Sequence, residues 1–283
     1  MLFKNKLNIL QYHIVASLTL FALVLSLTCC AQKTSQRDKL YELAWSDEFD
    51  GTTLDSTFWK KMKRVNGVRS FMHFTHDDRF YEFKYGHLRL YARHNDDYIP
   101  TDTAEYLTAG ITSEGKVPFK YGKIEVRVKF KGAQGTWPAI WTLPEELNYR
   151  TTKNPHYTEI DIVEYVDRNY FAYQTVHNGY TLRDQKNWYN PLHHATTDID
   201  FEKYNIYSAE VLPNEVILGI NGKETLRYPR LEELEHQFYY GIASYLMLHM
   251  QVNPPKAWSK GVDPTTFPAY MDIDWVRVYS LKE

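Results

Sequence analysis

The sequence predicts an all-β protein, a sandwich of two antiparallel sheets, and three observations carry that reading. Short β-rich runs separated by turn signals recur along most of the chain. KIEVRVKF (123–130) alternates Ile124, Val126, Val128 and Phe130 against Glu125, Arg127 and Lys129, the pattern of a half-buried antiparallel strand. Asn221-Gly222 joins VILGI (216–220) to ETLRY (224–228), and Asn-Gly is the strongest short hairpin signal.

Taken in chain order, the first element is a leader. Lys4 and Lys6 precede the apolar run Ile14–Leu27, which ends in Thr28, Cys29, Cys30 and Ala31. That is the layout of a secretory signal, and its apolar stretch is short for a spanning helix. LTCCAQ resembles a bacterial lipobox, which implies lipidation at Cys30; Cys29 stands where Gly, Ala or Ser is usual. Residues 1–29 are therefore expected to be a signal peptide of lipoprotein type, 30–40 a polar tether and 41–283 one folded domain. The expected location is outside the cytoplasm, on an outer membrane through the anchor, or else periplasmic or secreted.

Strands are expected at LRLYAR (88–93), KIEVRVKF, AIWTLP (139–144), EIDIVEY (159–165), FAYQTVH (171–177), VILGI, ETLRY and MDIDWVRVYS (271–280). A short helix is expected near Arg230–Glu235. No repeat or low-complexity tract interrupts this series, so one sandwich of roughly 240 residues is expected.

Composition excludes several classes. Both cysteines lie at the end of the leader, so the domain has neither disulfides nor a thiol nucleophile. Loss of the leader removes Lys4 and Lys6 and leaves 31 basic against 35 acidic residues, net −4, which argues against nucleic-acid binding. There is no phosphate-cradling glycine loop. His193-His194 is an isolated pair without a metal-ligand spacing, and Asp77-Asp78 reads as a solvated turn. A monomer needing no catalytic cofactor is expected. Aromatic residues are 16% of the chain, which suits a large β core and also a surface that stacks on flat apolar faces.

TEIDIVEYVD (158–167) carries the chemistry. Glu159 and Asp161 share a face of a regular strand, whereas Glu164 has the wrong parity. A β-bulge near Ile162–Val163 would rotate Glu164 back to the face of the other two. The Cα path from Glu159 to Glu164 would then be about 13 Å. Two glutamates, each reaching on the order of 4 Å, could leave about 5 Å between carboxyl groups, the separation of retaining glycoside hydrolysis. One Glu would attack the anomeric carbon and the other would donate a proton, with Asp161 between them. The residues themselves leave open which Glu does which.

With its flanks, this strand resembles glycoside hydrolase family 16, whose signature is Glu-x-Asp-x-x-Glu on a bulged strand of a concanavalin-like jelly roll. WSDEFDGTTLD (45–55), YGKIEVRVKF (121–130), GTWPAIWTLP (135–144), TVHNG (175–179) and MDIDWVRVYS follow the family's order over nearly the whole mature chain. The resemblance implies Glu159 as nucleophile, Asp161 as its helper and Glu164 as general acid/base. It places Trp137 and Trp141, four apart and so on one strand face, in the glycan cleft, and His177 near the acid/base. Trp188 and Trp258 read as loop aromatics, either rim contacts or anchors, and Trp258 is taken as substrate-binding. A structural calcium at Glu48, Gly86 and Asp274, held by backbone oxygens and the Asp of the last strand, is also implied; oxygen-only ligation suits that ion.

The sequence departs from the β-1,3-glucanase (laminarinase) pattern in three places. SFMHFTHDDRFYEF (70–83) replaces an Asn-Asn-Glu segment, Gly110 stands where Arg is common, and YLMLHMQVNPPKAWSKG (245–261) replaces a late Gly-Gly segment. YLTAGITSEGK and LMLHMQV look more like the gut-bacterial branch that includes mucin O-glycan endo-β-galactosidases. The expected substrate is thus a β-galactoside-containing host glycan, O-glycan or keratan-type, with a β-1,3(4)-glucan as the alternative. A non-catalytic, lectin-like jelly roll would have no need of all three acids. A transglycosylase would share the covalent intermediate and is not separable from a hydrolase at this level.

Overall fold

In the computed structural model the described residues are 39–64, 72–96, 99–253 and 259–282. The leader with Cys30, the tether as far as Asp38, and Trp258 lie outside them. The strands are β1 (Tyr41–Asp47), β2 (Lys60–Lys61), β3 (Tyr81–Lys84), β4 (His87–His94), β5 (Tyr106–Thr108) and β6 (Gly110–Thr112). They continue as β7 (Gly122–Lys131), β8 (Ala139–Pro144), β9 (Thr158–Glu164), β10 (Phe171–Asn178) and β11 (His194–Asp198). The last five are β12 (Asn205–Val211), β13 (Glu215–Ile220), β14 (Lys223–Pro229), β15 (Ser244–His249) and β16 (Ala269–Leu281).

These strands form two sheets. The first runs β14-β13-β12-β7-β16-β4-β3, with β1 on β16 and β5 on β4; the second runs β11-β10-β9-β8-β15-β6-β2. Both are antiparallel, as in β7 with β12 and β16, and in β9 with β8 and β10. Sequence-distant strands lie side by side, so the chain crosses between sheets repeatedly, as a jelly roll does. Every expected strand is present.

The alternation in β7 is the one the sequence predicts. Ile124, Val126, Val128 and Phe130 are buried, while Glu125, Arg127 and Lys129 are only half-buried. Their inward side chains meet Ile160, Ile162, Ala172 and Val176 of the second sheet in one hydrophobic cluster. Each fully buried aliphatic side chain stabilises the fold by about 1.5–3 kcal/mol. The turn between β13 and β14 is the predicted one: Asn221 and Gly222 both have positive φ, 52° and 75°, as a twisted two-residue hairpin requires.

The helix expected at Arg230–Glu235 does not form. Leu234 N donates to Leu231 O and Gln237 N to Leu234 O, three-residue steps that do not extend into an α-helix. The Gln237 amide reaches back to Pro229 O and accepts from Leu231 N, which fixes the segment as successive turns. The body of the fold is one unit, Leu43–Ser280.

Candidate active site

β9 departs from regular pairing on both edges. Against β8 the partners are Ala139↔Glu164, Ile140↔Val163 and then Trp141↔Asp161, so one step of β8 spans two residues of β9. Against β10, Tyr173 faces Glu164 and Thr175 faces Asp161, again one residue short. The bulge therefore lies at Ile162–Val163, as the sequence pattern requires. Both bulge side chains are buried without measurable exposure. Gln174 Nε2 donates to Ile162 O at 2.8 Å, and the Gln174 carbonyl accepts from Thr225, so the irregular backbone is satisfied from inside the sandwich.

The consequence is a cavity of about 390 Å³ whose lining includes Glu159, Asp161, Glu164, Trp137, Tyr173 and His177. Cross-strand register explains the arrangement, because partnered residues project from the same face. Tyr173, Glu164 and Ala139 form one row; Thr175, Asp161 and Trp141 the next; His177 and Glu159 the third.

The three carboxylates differ in surroundings. Glu164 is pushed up to about 8, first by burial and then by the charge of Glu159; the hydrogen bond from Trp137 Nε1 at 2.8 Å opposes this. Asp161 is held well above the usual carboxylate range, by burial and then by the charges of Glu159 and Glu164. Glu159 is half-buried, and its Oε2 accepts a hydrogen bond from the Tyr157 hydroxyl. At neutral pH the arrangement holds a proton on Glu164, so that one carboxyl group can donate where another can attack.

His177 lines the cavity with Nε2 3.5 Å from Asp161 Oδ2. Burial and the neighbouring His194 push its ring down to about 4, so it is neutral in the working range. His193 and His194 are not isolated from the chemistry. Both line the same cavity, their Nδ1 atoms are 3.0 Å apart, and His193 is pushed down to about 3, chiefly by burial. Trp188 also lines the cavity, stacked on His193 at 5.3 Å, while its Nε1 donates to Thr181 O. It is both rim and anchor.

Trp137 and Trp141 do not share a strand, because β8 begins at Ala139. Trp137 reaches the cavity from the preceding segment, tied by its N–H to Gln251 O. Trp141 stands beside Asp161 in register but donates its Nε1–H to His249 Nε2 at 2.8 Å. Tyr173 and Thr175 are not candidates from the sequence, and the His193-His194 pair is one there only as a metal site that its spacing excludes. The alternation of FAYQTVH contains part of that signal, since Tyr173, Thr175 and His177 share parity.

The model of glycosyl hydrolases family 16 matches residues 70–277. The chain belongs to glycosyl hydrolases family 16. Among relatives of this family 16 chain, a β-glucanase of Rhodothermus marinus is 30% identical over 277 residues, covering 92% of this chain and 93% of the relative. A keratan-sulfate endo-1,4-β-galactosidase of Sphingobacterium multivorum is 31% identical over 250 residues, covering 85% of this chain and 56% of the relative. The endo-1,3-β-glucanase (laminarinase) catalytic domain of Thermotoga petrophila superposes with a TM-score of 0.72 at 29% identity, covering 86% of this chain and 99% of that one. The family consists of glycoside hydrolases acting with retention, and its chemistry needs no cofactor.

Within this family 16 fold, the side chain expected to hold calcium is paired with an arginine. The Asp274 carboxylate is engaged by Arg127, and Glu48 makes a two-pronged pair with Arg277 at 3.0 and 2.9 Å. Of the three, Asp274 is the one that would offer its side chain, and the Arg127 guanidinium occupies that carboxylate. Gly86, with φ 69°, serves the tight turn between β3 and β4. Gly110 likewise has a steric role: a Cβ there would lie 2.7 Å from His249 Cβ and 2.8 Å from Met62 Sδ.

Proposed function

We propose that this family 16 chain is an exported, retaining endo-β-glycosidase with Glu159 as nucleophile, Glu164 as general acid/base and Asp161 as helper. The observation that carries the assignment is the bulge, which puts all three acids on one face while Glu164 keeps its proton. In the first step a Glu159 oxygen bonds to the anomeric carbon as Glu164 gives its proton to the departing glycosidic oxygen. In the second, Glu164 takes a proton from water, whose oxygen displaces Glu159 from the sugar. Asp161, between the two glutamates and raised by burial and by their charges, helps hold their protonation states apart. Ligand atoms of Glu159, Asp161 and His177 lie within 4.8 Å of one another.

The substrate reading is a β-galactoside-containing glycan. Gly110 in place of an arginine, packed under His249 and Met62, supports a wall unlike that of the β-1,3-glucanase pattern. Similarity to the keratan-sulfate endo-β-galactosidase points the same way. A β-1,3(4)-glucan is the second reading, favoured by the 30% identity to the Rhodothermus β-glucanase over 93% of its length. A panel of laminarin, mixed-linkage glucan, agarose, porphyran, keratan sulfate and mucin O-glycans, scored for endo-products, decides between them. Products from laminarin alone would reject the galactoside reading. Membrane attachment through Cys30 is read from the lipobox resemblance; release of Cys30→Ser protein from the membrane fraction tests it.

A further inference from the structure

Beyond the cavity, β10 continues with an exposed aromatic strip. Along this strand Ala172, Gln174 and Val176 are fully buried, whereas Phe171, Tyr173, Thr175 and His177 face outward. Tyr173 lines the cavity beside Glu164, and its hydroxyl accepts from Asn169 Nδ2 at 3.4 Å. Phe171, two residues further on the same face, is 41% exposed, and Tyr170 is 77% exposed at the turn before it. Two strand steps separate the Phe171 and Tyr173 positions by about 6.6 Å. Neighbouring β11 adds small or acidic side chains alongside, Thr196 opposite Tyr173 and Asp198 opposite Phe171. Large exposed rings that continue a ligand cavity need an occupant that covers an apolar face and offers hydroxyls at its edge.

We propose that Tyr173 and Phe171 form an extended subsite for the leaving-group side of a β-linked pyranose chain. The occupant is a sugar stacking its C–H face on Phe171, with its hydroxyls toward Asp198 and Thr196. The side follows from position: the strip starts next to Glu164, the group that protonates the departing oxygen, and runs away from Glu159. Galactopyranose suits the strip, because its axial O4 gathers the C–H bonds at C3, C4 and C5 on one face. This inference rests on the glycosidase reading above and adds a prediction about chain length to it.

The test is a length series of oligosaccharides, from β-1,3-glucan and from β-1,4-linked galactosyl-N-acetylglucosamine repeats, cleaved by wild type, Phe171→Ala and Phe171→Trp. The measured quantity is kcat/KM for long over short substrates. Phe171→Ala is expected to lower that ratio roughly two- to tenfold, and Phe171→Trp to keep or raise it. Tyr85→Ala, a ring 85% exposed in the turn between β3 and β4, is expected to leave the ratio unchanged. An unchanged ratio in Phe171→Ala overturns the subsite. If wild type cleaves neither series, the two substrate readings above fail. Retention of the same oligosaccharides in affinity electrophoresis then reads the strip by itself, and equal retention of wild type and Phe171→Ala overturns it.

Discussion

Asp272 and Asp161 are both buried aspartates in mid-sheet, and they have opposite neighbours. Asp272, in β16 of the first sheet, sits in register between Arg89 on β4 and Lys129 on β7. Arg89 binds it through two nitrogens at 2.5 and 2.8 Å, and Lys129 Nζ lies 3.5 Å away. Asp161, in β9 of the second sheet, sits between Trp141 and Thr175, with Glu159 and Glu164 on its own strand. Its nearest basic group is a neutral imidazole. The first arrangement neutralises a buried charge across strands and adds to cohesion. The second leaves like charges facing one another, so protons must be retained, and retained protons are what acid catalysis uses.

The largest expected effect is at the carboxylate cluster of β9. Glu159→Ala should lower kcat by at least about 10⁴-fold while the far-ultraviolet circular dichroism stays that of wild type. Turnover within tenfold of wild type would remove Glu159 as the nucleophile. Glu164→Gln should cost about 10²–10⁴-fold on natural linkages and much less on aryl glycosides, whose leaving groups need little protonation.

Glu164 also predicts pH behaviour. With its proton held to about 8, kcat/KM should fall as pH rises past that value, and the alkaline limb should vanish in Glu164→Gln. The same shift has a stability sign. A carboxyl group raised in the folded state contributes stability that is fully present below its unfolded value of 4.5 and lost as pH rises through about 8. Glu164→Gln should therefore raise Tm at alkaline pH relative to wild type, at about 2–4 °C per kcal/mol. A lower Tm there would mean that the Glu164 carboxylate is stabilised by a partner, as Asp272 is.

The comparison also explains what the sequence disclosed. The Glu-x-Asp-x-x-Glu strand was legible because its parity conflicts with a regular strand, and only a bulge resolves the conflict. The long alternating strands were legible for a related reason. β15 gave less signal, because Tyr245 through His249 are buried on both faces and show no alternation. The His193-His194 pair shows no metal-ligand spacing in the sequence, and its place in the cavity depends on His177 of β10, against which His193 packs. Trp137 and Trp141 have even spacing, but Pro138 lies between them and β8 starts only at Ala139, so spacing alone misplaced their shared strand. Nor could composition reveal that Glu48 and Asp274 each face an arginine, since such pairs depend on which strands become neighbours.

A reciprocal pair of variants sharpens the contrast at intermediate size. Arg89→Ala leaves Asp272 with the more distant Lys129 and His87, at 3.5 and 3.8 Å, and should cost about 3 kcal/mol in urea unfolding, with kcat per folded molecule unchanged. Asp161→Asn should do the reverse, removing a buried acid from among acids. Its unfolding midpoint should equal or exceed that of wild type, while kcat falls. If both variants lose stability equally, the two aspartates are not different in kind.

The smallest expected effect concerns Tyr157, which carries into the second sheet a little of what arginines supply in the first. Its phenol is nearly buried and gives its hydrogen to Glu159 Oε2, a neutral donor to a carboxylate that must stay mobile in charge. An arginine there would hold the carboxylate more tightly and blunt its attack; a phenol orients one oxygen and leaves the other to react. Tyr157→Phe keeps the ring and deletes only that donor. Losing one hydrogen bond to a charged group should lower kcat about tenfold. KM and Tm should barely move, because the ring still packs. A rise in KM with kcat intact would instead assign the phenol to substrate binding, and a drop in Tm alone would make it a packing residue like those of the first sheet.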